Sequence, residues 1–180
     1  MDAISPAPKR LGRRVLQVVL AAAALCIVAG LLLPRSSAPD KAKQIRCVQN
    51  LHKAAAGLLR AAVGNDGRFP PTNHWPDALL SAAASGPAWT SEKLICPADT
   101  TSRPLPYTTY AFNRALDGKR LAEVDLLTVM LFESAGGWNV SGGQTEVLLS
   151  WHNGTVNVAL VDGSVQECTP TRLAKLNWGP

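Results

Sequence analysis

Residues 12–64 read GRRVLQVVLAAAALCIVAGLLLPRSSAPDKAKQIRCVQNLHKAAAGLLRAAVG, and the fold turns on how this stretch divides. From Val15 to Leu33 there are nineteen residues in which Gln17 is the only polar side chain. At roughly 1.5 Å per residue such a helix just crosses a hydrocarbon core of about 30 Å, so the pattern predicts a transmembrane segment. Beyond Pro34 the apolar residues Ile45, Val48, Leu51, Ala55, Leu58 and Ala62 recur at intervals of three and four, while Lys43, Arg46, Asn50, Lys53 and Arg60 fall elsewhere around the helix. That half is predicted to continue the same helix and to lie against a folded domain. Gly64-Asn65-Asp66-Gly67 then supplies residues suited to a left-handed cap, and Phe69-Pro70-Pro71 forces extended backbone.

The chain has 180 residues and a formal net charge of +5. Of its 18 basic and 13 acidic residues, Lys9, Arg10, Arg13, Arg14 and Asp2 precede the apolar run, which leaves a net charge of +2 on the remainder. A nucleic-acid footprint is therefore not expected. Residues 35 to 180 are enough for one domain with its own core. Charge leaves the topology open, because Arg35, Lys41, Lys43 and Arg46 balance the basic residues on the amino side. Cys47, Cys96 and Cys168 all lie on the carboxyl side, a distribution suited to an oxidising compartment, so the domain is expected in the periplasm with the amino terminus cytoplasmic. A cleaved secretory signal competes with this reading. It needs a shorter apolar region, and the one tidy small-x-small site, Ser36-Ser37-Ala38, precedes Pro39, so an uncleaved anchor is favoured.

Farther along, Trp75 to Ala83 reads as a short helix with Pro76 in its first turn. Tyr107 to Phe112 and Leu126 to Phe132 read as strands, with Asp117-Gly118 turning between them. A three-stranded meander is expected next, formed by Glu146 to His152, Thr155 to Val161 and Ser164 to Cys168. Its turns, Asn153-Gly154 and Asp162-Gly163, suit the positive φ angles of two-residue type I′ hairpins. In the middle strand Val156, Val158 and Leu160 should face one way and Thr155, Asn157, Ala159 and Val161 the other, with one face on the helix. Pro170 to Trp178 is expected to make a closing helical turn.

Several features together resemble the type IV pilins and the pseudopilins of type II secretion. In that family a basic leader ends in Gly, prepilin peptidase cuts after it, and the apolar helix that follows usually has Glu at its fifth position and often Pro at its twenty-second. Counted from Gly12, these positions are Gln17 and Pro34, while Arg13 and Arg14 stand where the family has an apolar residue and then usually Thr. Many pilin-like proteins also carry His, nine residues and Asp-Gly near the carboxyl end, as His152 and Asp162-Gly163 do here. They often show segments like Cys47-Val48-Gln49-Asn50-Leu51, Gly67-Arg68-Phe69-Pro70 and Cys96-Pro97-Ala98-Asp99. The resemblance implies an α+β, pilin-like fold with a long N-terminal helix packed on an antiparallel sheet. Its parts would be a cytoplasmic leader through residue 14, a membrane span at 15–33, an amphipathic continuation at 34–64 and a periplasmic sheet domain with a long connecting loop at 65–180. It implies a non-enzymatic, membrane-anchored structural or accessory component of a secretion or pilus system, in contact with lipid and with other pseudopilin-like subunits. Gln17 in place of the carboxylate points away from a major polymerising subunit.

Sites for chemistry are sparse. His152 and Asp162 are not expected to meet, because a strand of seven residues between them spans roughly 23 Å. Asp162 and Gly163 are read as a turn, His152 as a strand-end residue and Glu133 as a strand-end surface carboxylate. His52 and His74 have no partner at ligand spacing. Cys47 and His52 point about 140° apart on a helix, and Asp99, Asp117 and Asp125 form no calcium motif, so neither metal nor cofactor is expected. Cys47 and Cys96 are the best disulfide candidates, closing a loop of about fifty residues at about 3 to 4 kcal/mol. Two buried thiols, or a Cys96 to Cys168 pair, are the alternatives. Trp75, Trp89, Trp138, Trp151 and Trp178 read mainly as packing residues. The competing function is a membrane-tethered module binding carbohydrate or another ligand through these tryptophans and the Gly-rich loop.

Overall fold

In a computed structural model the residues described are 10–32, 38–83, 90–101 and 103–180. The leader before residue 10, Pro34 and Trp89 lie outside them, as do the side chains of Arg13 and Arg14. The chain divides into two units, Met1–Ser37 and Ala38–Pro180.

In the first unit, α1 (Arg10–Leu32) includes Gly12 in its first turn and carries Gln17 exposed to solvent. Large apolar side chains are exposed along it: Val15, Leu16, Val18, Val19, Leu20, Leu25, Ile27 and Val28. Among the described residues no helix is long and apolar enough to cross a membrane. The described apolar side chains of α1 run from Val15 to Val28, about 21 Å at 1.5 Å per residue, against a hydrocarbon core of about 30 Å. This finding overturns the expected single-pass inner-membrane protein with a cytoplasmic amino terminus and a periplasmic domain. The expectation that one helix continues through Pro34 falls on residues 33–37, which lie outside the described residues.

The second unit begins with α2 (Ala38–Gly64), which has Pro39 in its first turn, where a missing N–H leaves no bond unmade, and Asp40 beside it against the positive helix end. Its buried stripe is Cys47, Leu51, Ala54, Ala55, Leu58 and Ala62. The stripe is rotated slightly from the expected one: Ile45 is exposed and Ala54 takes a core position. The helix ends where Asn65 N–H reaches the Ala62 carbonyl at 3.0 Å, and Asp66 and Gly67 adopt positive φ of 53° and 72°. Short α3 (Trp75–Ala83) returns against α2. Gly57 allows that approach, because a Cβ there would stand 3.0 Å from Leu79 Cγ.

The sheet has five strands, β1 (Thr108–Asn113), β2 (Val129–Gly137), β3 (Ser141–Gly142), β4 (Val156–Leu160) and β5 (Val165–Cys168), in the order β3-β1-β2-β4-β5. All pairings are antiparallel except β1 with β3, which is parallel. The fold is thus α+β with a mixed sheet, not the purely antiparallel one expected. Residues 146–152 do not form the expected first meander strand. A 3-10 turn at Gln144–Glu146 and isolated bridges at Val147 and His152 take its place. The second predicted strand is displaced toward the carboxyl end, since Leu126 and Leu127 are exposed and pairing starts at Val129.

Alternation on β4 divides two cores. Ala159 and Val161 join the core shared with α2, α3, Tyr110, Phe112 and Leu131. Val156, Val158 and Leu160 join Ala111, Val129, Phe132, Cys168 and Leu173 on the opposite face. That second face is closed by α4 (Pro170–Leu173) and the tail, with Thr169 Oγ1 accepting from Arg172 N–H and Trp178 edge-on to Phe132 at 5.3 Å between centroids. Both sheet faces are covered, so β1 is buried along its whole length and shows no polar alternation.

Tyr107 lies across Gly136, whose φ is +87°, and donates its hydroxyl to Asp99 Oδ2 and the Ala135 carbonyl, each at 3.2 Å. A methyl at position 136 would collide with the phenol ring and hold an L-residue in the left-handed region. Gly136→Ala is expected to destabilise the fold by about 2 to 3 kcal/mol, read as a lowered urea midpoint at unchanged slope.

Candidate functional site

The register brings three polar residues into one row beneath α2. Tyr110 on β1 stands opposite Glu133 on β2, and the pairing of Phe132 with Val158 places Glu133 opposite Asn157 on β4. All three are fully buried. Glu133, expected at a strand end on the surface, is instead a core residue in the middle of β2, on the same face as Leu131. A buried carboxylate must find donors, and this one has three. Its Oε2 accepts from the Asn157 backbone N–H at 2.8 Å, and its Oε1 accepts from Asn157 Nδ2 at 3.0 Å and from His152 Nε2 at 2.9 Å.

His152 reaches this carboxylate because the turn beside it is tight. Asn153 and Gly154 have φ of 54° and 88°, the type I′ arrangement, closed by Thr155 N–H to the His152 carbonyl at 3.1 Å. The imidazole is thereby turned inward, with 3% of its side chain exposed. The other hairpin differs from the expected type I′ turn. Only Gly163 has positive φ, and Leu160 N–H bonds to the Ser164 carbonyl at 2.9 Å across a three-residue loop. Asp162 Oδ1 accepts from Ser164 N–H there, at the far end of β4 from His152. The His-x9-Asp-Gly spacing therefore marks the two ends of one strand.

Above the row, Cys47 of α2 and Cys96 form a disulfide with Cα atoms 4.9 Å apart. The segment carrying Cys96 is strapped to both neighbours: Cys96 N–H donates to Thr109 Oγ1 at 2.6 Å, Thr108 Oγ1 to the Leu94 carbonyl at 2.8 Å, and Asn50 Nδ2 to the Ile95 carbonyl at 3.3 Å. Cys96 Sγ lies 3.5 Å from His152 Nε2. Tyr110 donates its hydroxyl to the Cys47 carbonyl at 3.4 Å, and burial, with the charge of Glu133 adding to it, pushes this phenol well above the usual range, so it stays protonated. Closing a loop of 49 residues, the disulfide contributes about 4 kcal/mol.

The sulfurs of Cys47 and Cys96, a carboxylate oxygen of Glu133 and a ring nitrogen of His152 all lie within 4.8 Å of one another, the one group of metal-ligand type found among the described residues. These residues come from α2, the segment before β1, β2 and the turn before β4. No local spacing announces them. The available signal was phase: Glu133 shares parity with Leu131 and Asn157 with Ala159, so two polar residues fall on core positions of neighbouring strands. Of the other candidates, His52 and His74 are exposed and Cys26 is an exposed thiol on α1. Cys168 is a buried free thiol whose burial raises its pKa. Trp75 is fully buried and donates to the Val140 carbonyl at 2.9 Å, Trp138 faces Asp77 at 3.4 Å, and Trp138 and Trp151 pack against the core, so these rings are engaged inside the fold. No protein family, curated protein or solved structure matches this chain.

Removing one partner of a buried charged hydrogen bond strands the other. Glu133→Ala and His152→Ala are each expected to cost about 3 to 5 kcal/mol in urea unfolding, whereas Glu133→Leu with His152→Leu should cost much less than the two single losses together. Additive losses would show that the two side chains act independently.

Proposed function

We propose that this chain is a non-enzymatic, pilin-like structural subunit of a secretion- or pilus-related assembly, joined to like subunits through α1. The observation that carries this reading is the run of exposed apolar side chains on α1 from Val15 to Val28. A contiguous apolar surface of this kind is costly in water and marks a surface used for association. Helix α2 laid on the sheet, the disulfide beside it and the quoted leader and His-x9-Asp-Gly segments support the pilin-like part. The non-enzymatic part is supported by the closure of Glu133 and His152, both buried and hydrogen-bonded to each other, with Asn157 holding the carboxylate. A group that cannot meet substrate does no acid–base work.

Cys26, exposed on α1 among these apolar residues, gives the test directly. Mild copper-catalysed oxidation of the full chain is expected to yield a Cys26-linked dimer. Its yield should be lost in Cys26→Ser and fall at least fivefold in Val19→Asn with Val28→Asn. A chain that stays monomeric under oxidation and in sedimentation velocity, or that cross-links equally well with both asparagines present, would contradict association through this helix.

A further inference from the structure

The cluster under α2 contains more coordinating chemistry than the fold consumes. Two sulfurs, one imidazole nitrogen and one carboxylate oxygen converge within 4.8 Å, all from buried residues. In a four-coordinate zinc site with bonds of about 2.0 to 2.3 Å, neighbouring ligand atoms stand roughly 3.3 to 3.8 Å apart. Cys96 Sγ and His152 Nε2 already stand at 3.5 Å, and Nε2 faces both the sulfur and Glu133 Oε1. The carboxylate is oriented from behind by both N–H groups of Asn157, as ligating carboxylates usually are. Asn157 Oδ1 is buried with no hydrogen-bond partner, a sign that the polar groups here are not all used by the fold. In the oxidised chain the two sulfurs are bonded to each other, which withholds both thiolates from a metal.

We propose that reduction of Cys47–Cys96 by a dithiol converts this cluster into a closed binding site for a zinc-class divalent cation, with Cys47 Sγ, Cys96 Sγ, His152 Nε2 and one oxygen of Glu133 as ligands. A thiolate of the dithiol attacks one sulfur, the protein S–S bond breaks, and a mixed disulfide forms. The second thiol of the reagent closes it, leaving two protein thiols and a cyclic disulfide, with two electrons and two protons transferred to the protein. The cation then displaces both thiol protons to solvent, and the imidazole gives up the Nε2 proton it had donated to Glu133 and takes one at Nδ1, so that Nε2 bonds the metal. Glu133 Oε2 stays on the Asn157 amide while Oε1 turns to the ion. The site exchanges a covalent clamp for a coordinate one between the same helix and the same sheet.

The test uses the full chain reduced with a phosphine, freed of reagent without oxygen, and titrated with Co²⁺. The reduced chain should take up one equivalent with a thiolate-to-cobalt charge-transfer band and the strong visible bands of tetrahedral cobalt, and Zn²⁺ should abolish both. The oxidised chain and Cys47→Ser with Cys96→Ser should show neither. His152→Ala and Glu133→Gln should each weaken uptake at least tenfold, while His52→Ala on the exposed side of α2 leaves it unchanged. Absence of the band in the reduced chain would overturn the proposal. So would uptake indifferent to both His152→Ala and Glu133→Gln, or a reduced chain that stays unfolded by circular dichroism when Co²⁺ is added. None of these readouts depends on how α1 associates.

Discussion

A carboxylate closed off from water in the middle of a sheet is the constraint from which much of this domain follows. Glu133 sits on a central strand, on the face that α2 covers, where an unpaired charge would cost several kcal/mol. Its three donors come from the next strand and from the turn that leads into it. Satisfying the carboxylate therefore sets the register of β4 on β2, the inward turn of His152 and the tight Asn153-Gly154 hairpin together. A slip of one residue would carry Asn157 to the opposite face and leave the charge without partners.

The helix is held to this row by different means. Apolar burial along Cys47, Leu51, Ala54, Ala55, Leu58 and Ala62 supplies most of the contact, and small residues let the backbone lie close to the sheet. The disulfide and the straps from Thr108, Thr109 and Asn50 fix the segment around Cys96 over the row, where Tyr110 also meets the Cys47 carbonyl. Polar specificity in the sheet and covalent closure above it thus converge on one spot. The two proposals draw on different parts of the chain, one on the buried cluster of the second unit and the other on the exposed apolar side chains of α1.

How far the residues announced this depends on the range of the forces involved. Turns and helix ends were readable because Gly64 to Gly67, Pro76, Asn153-Gly154 and Pro170 act on their own backbone. The β4 alternation was readable because its period is two. The strands around it were less so: with both faces covered, β1 and β2 lose the polar alternation that would have fixed their ends, and Leu126 and Leu127 look like strand while lying exposed. The inward row was missed because Glu133, His152, Asn157 and Cys96 are brought together only by tertiary register. The apolar run of α1 suggested a membrane span from composition alone, and among the described residues no helix is of that length and hydrophobicity.

If Glu133 and its partners bind sheet, turn and helix into one cooperative unit, that unit should open only as a whole. Native-state amide hydrogen exchange of the oxidised chain measures this directly. The Asn157 amide and the α2 amides around Leu51 and Leu58 are expected in the slowest class, opening with a common free energy close to that of global unfolding. Exchange in α2 at a much lower free energy, with the Asn157 amide still protected, would contradict the account.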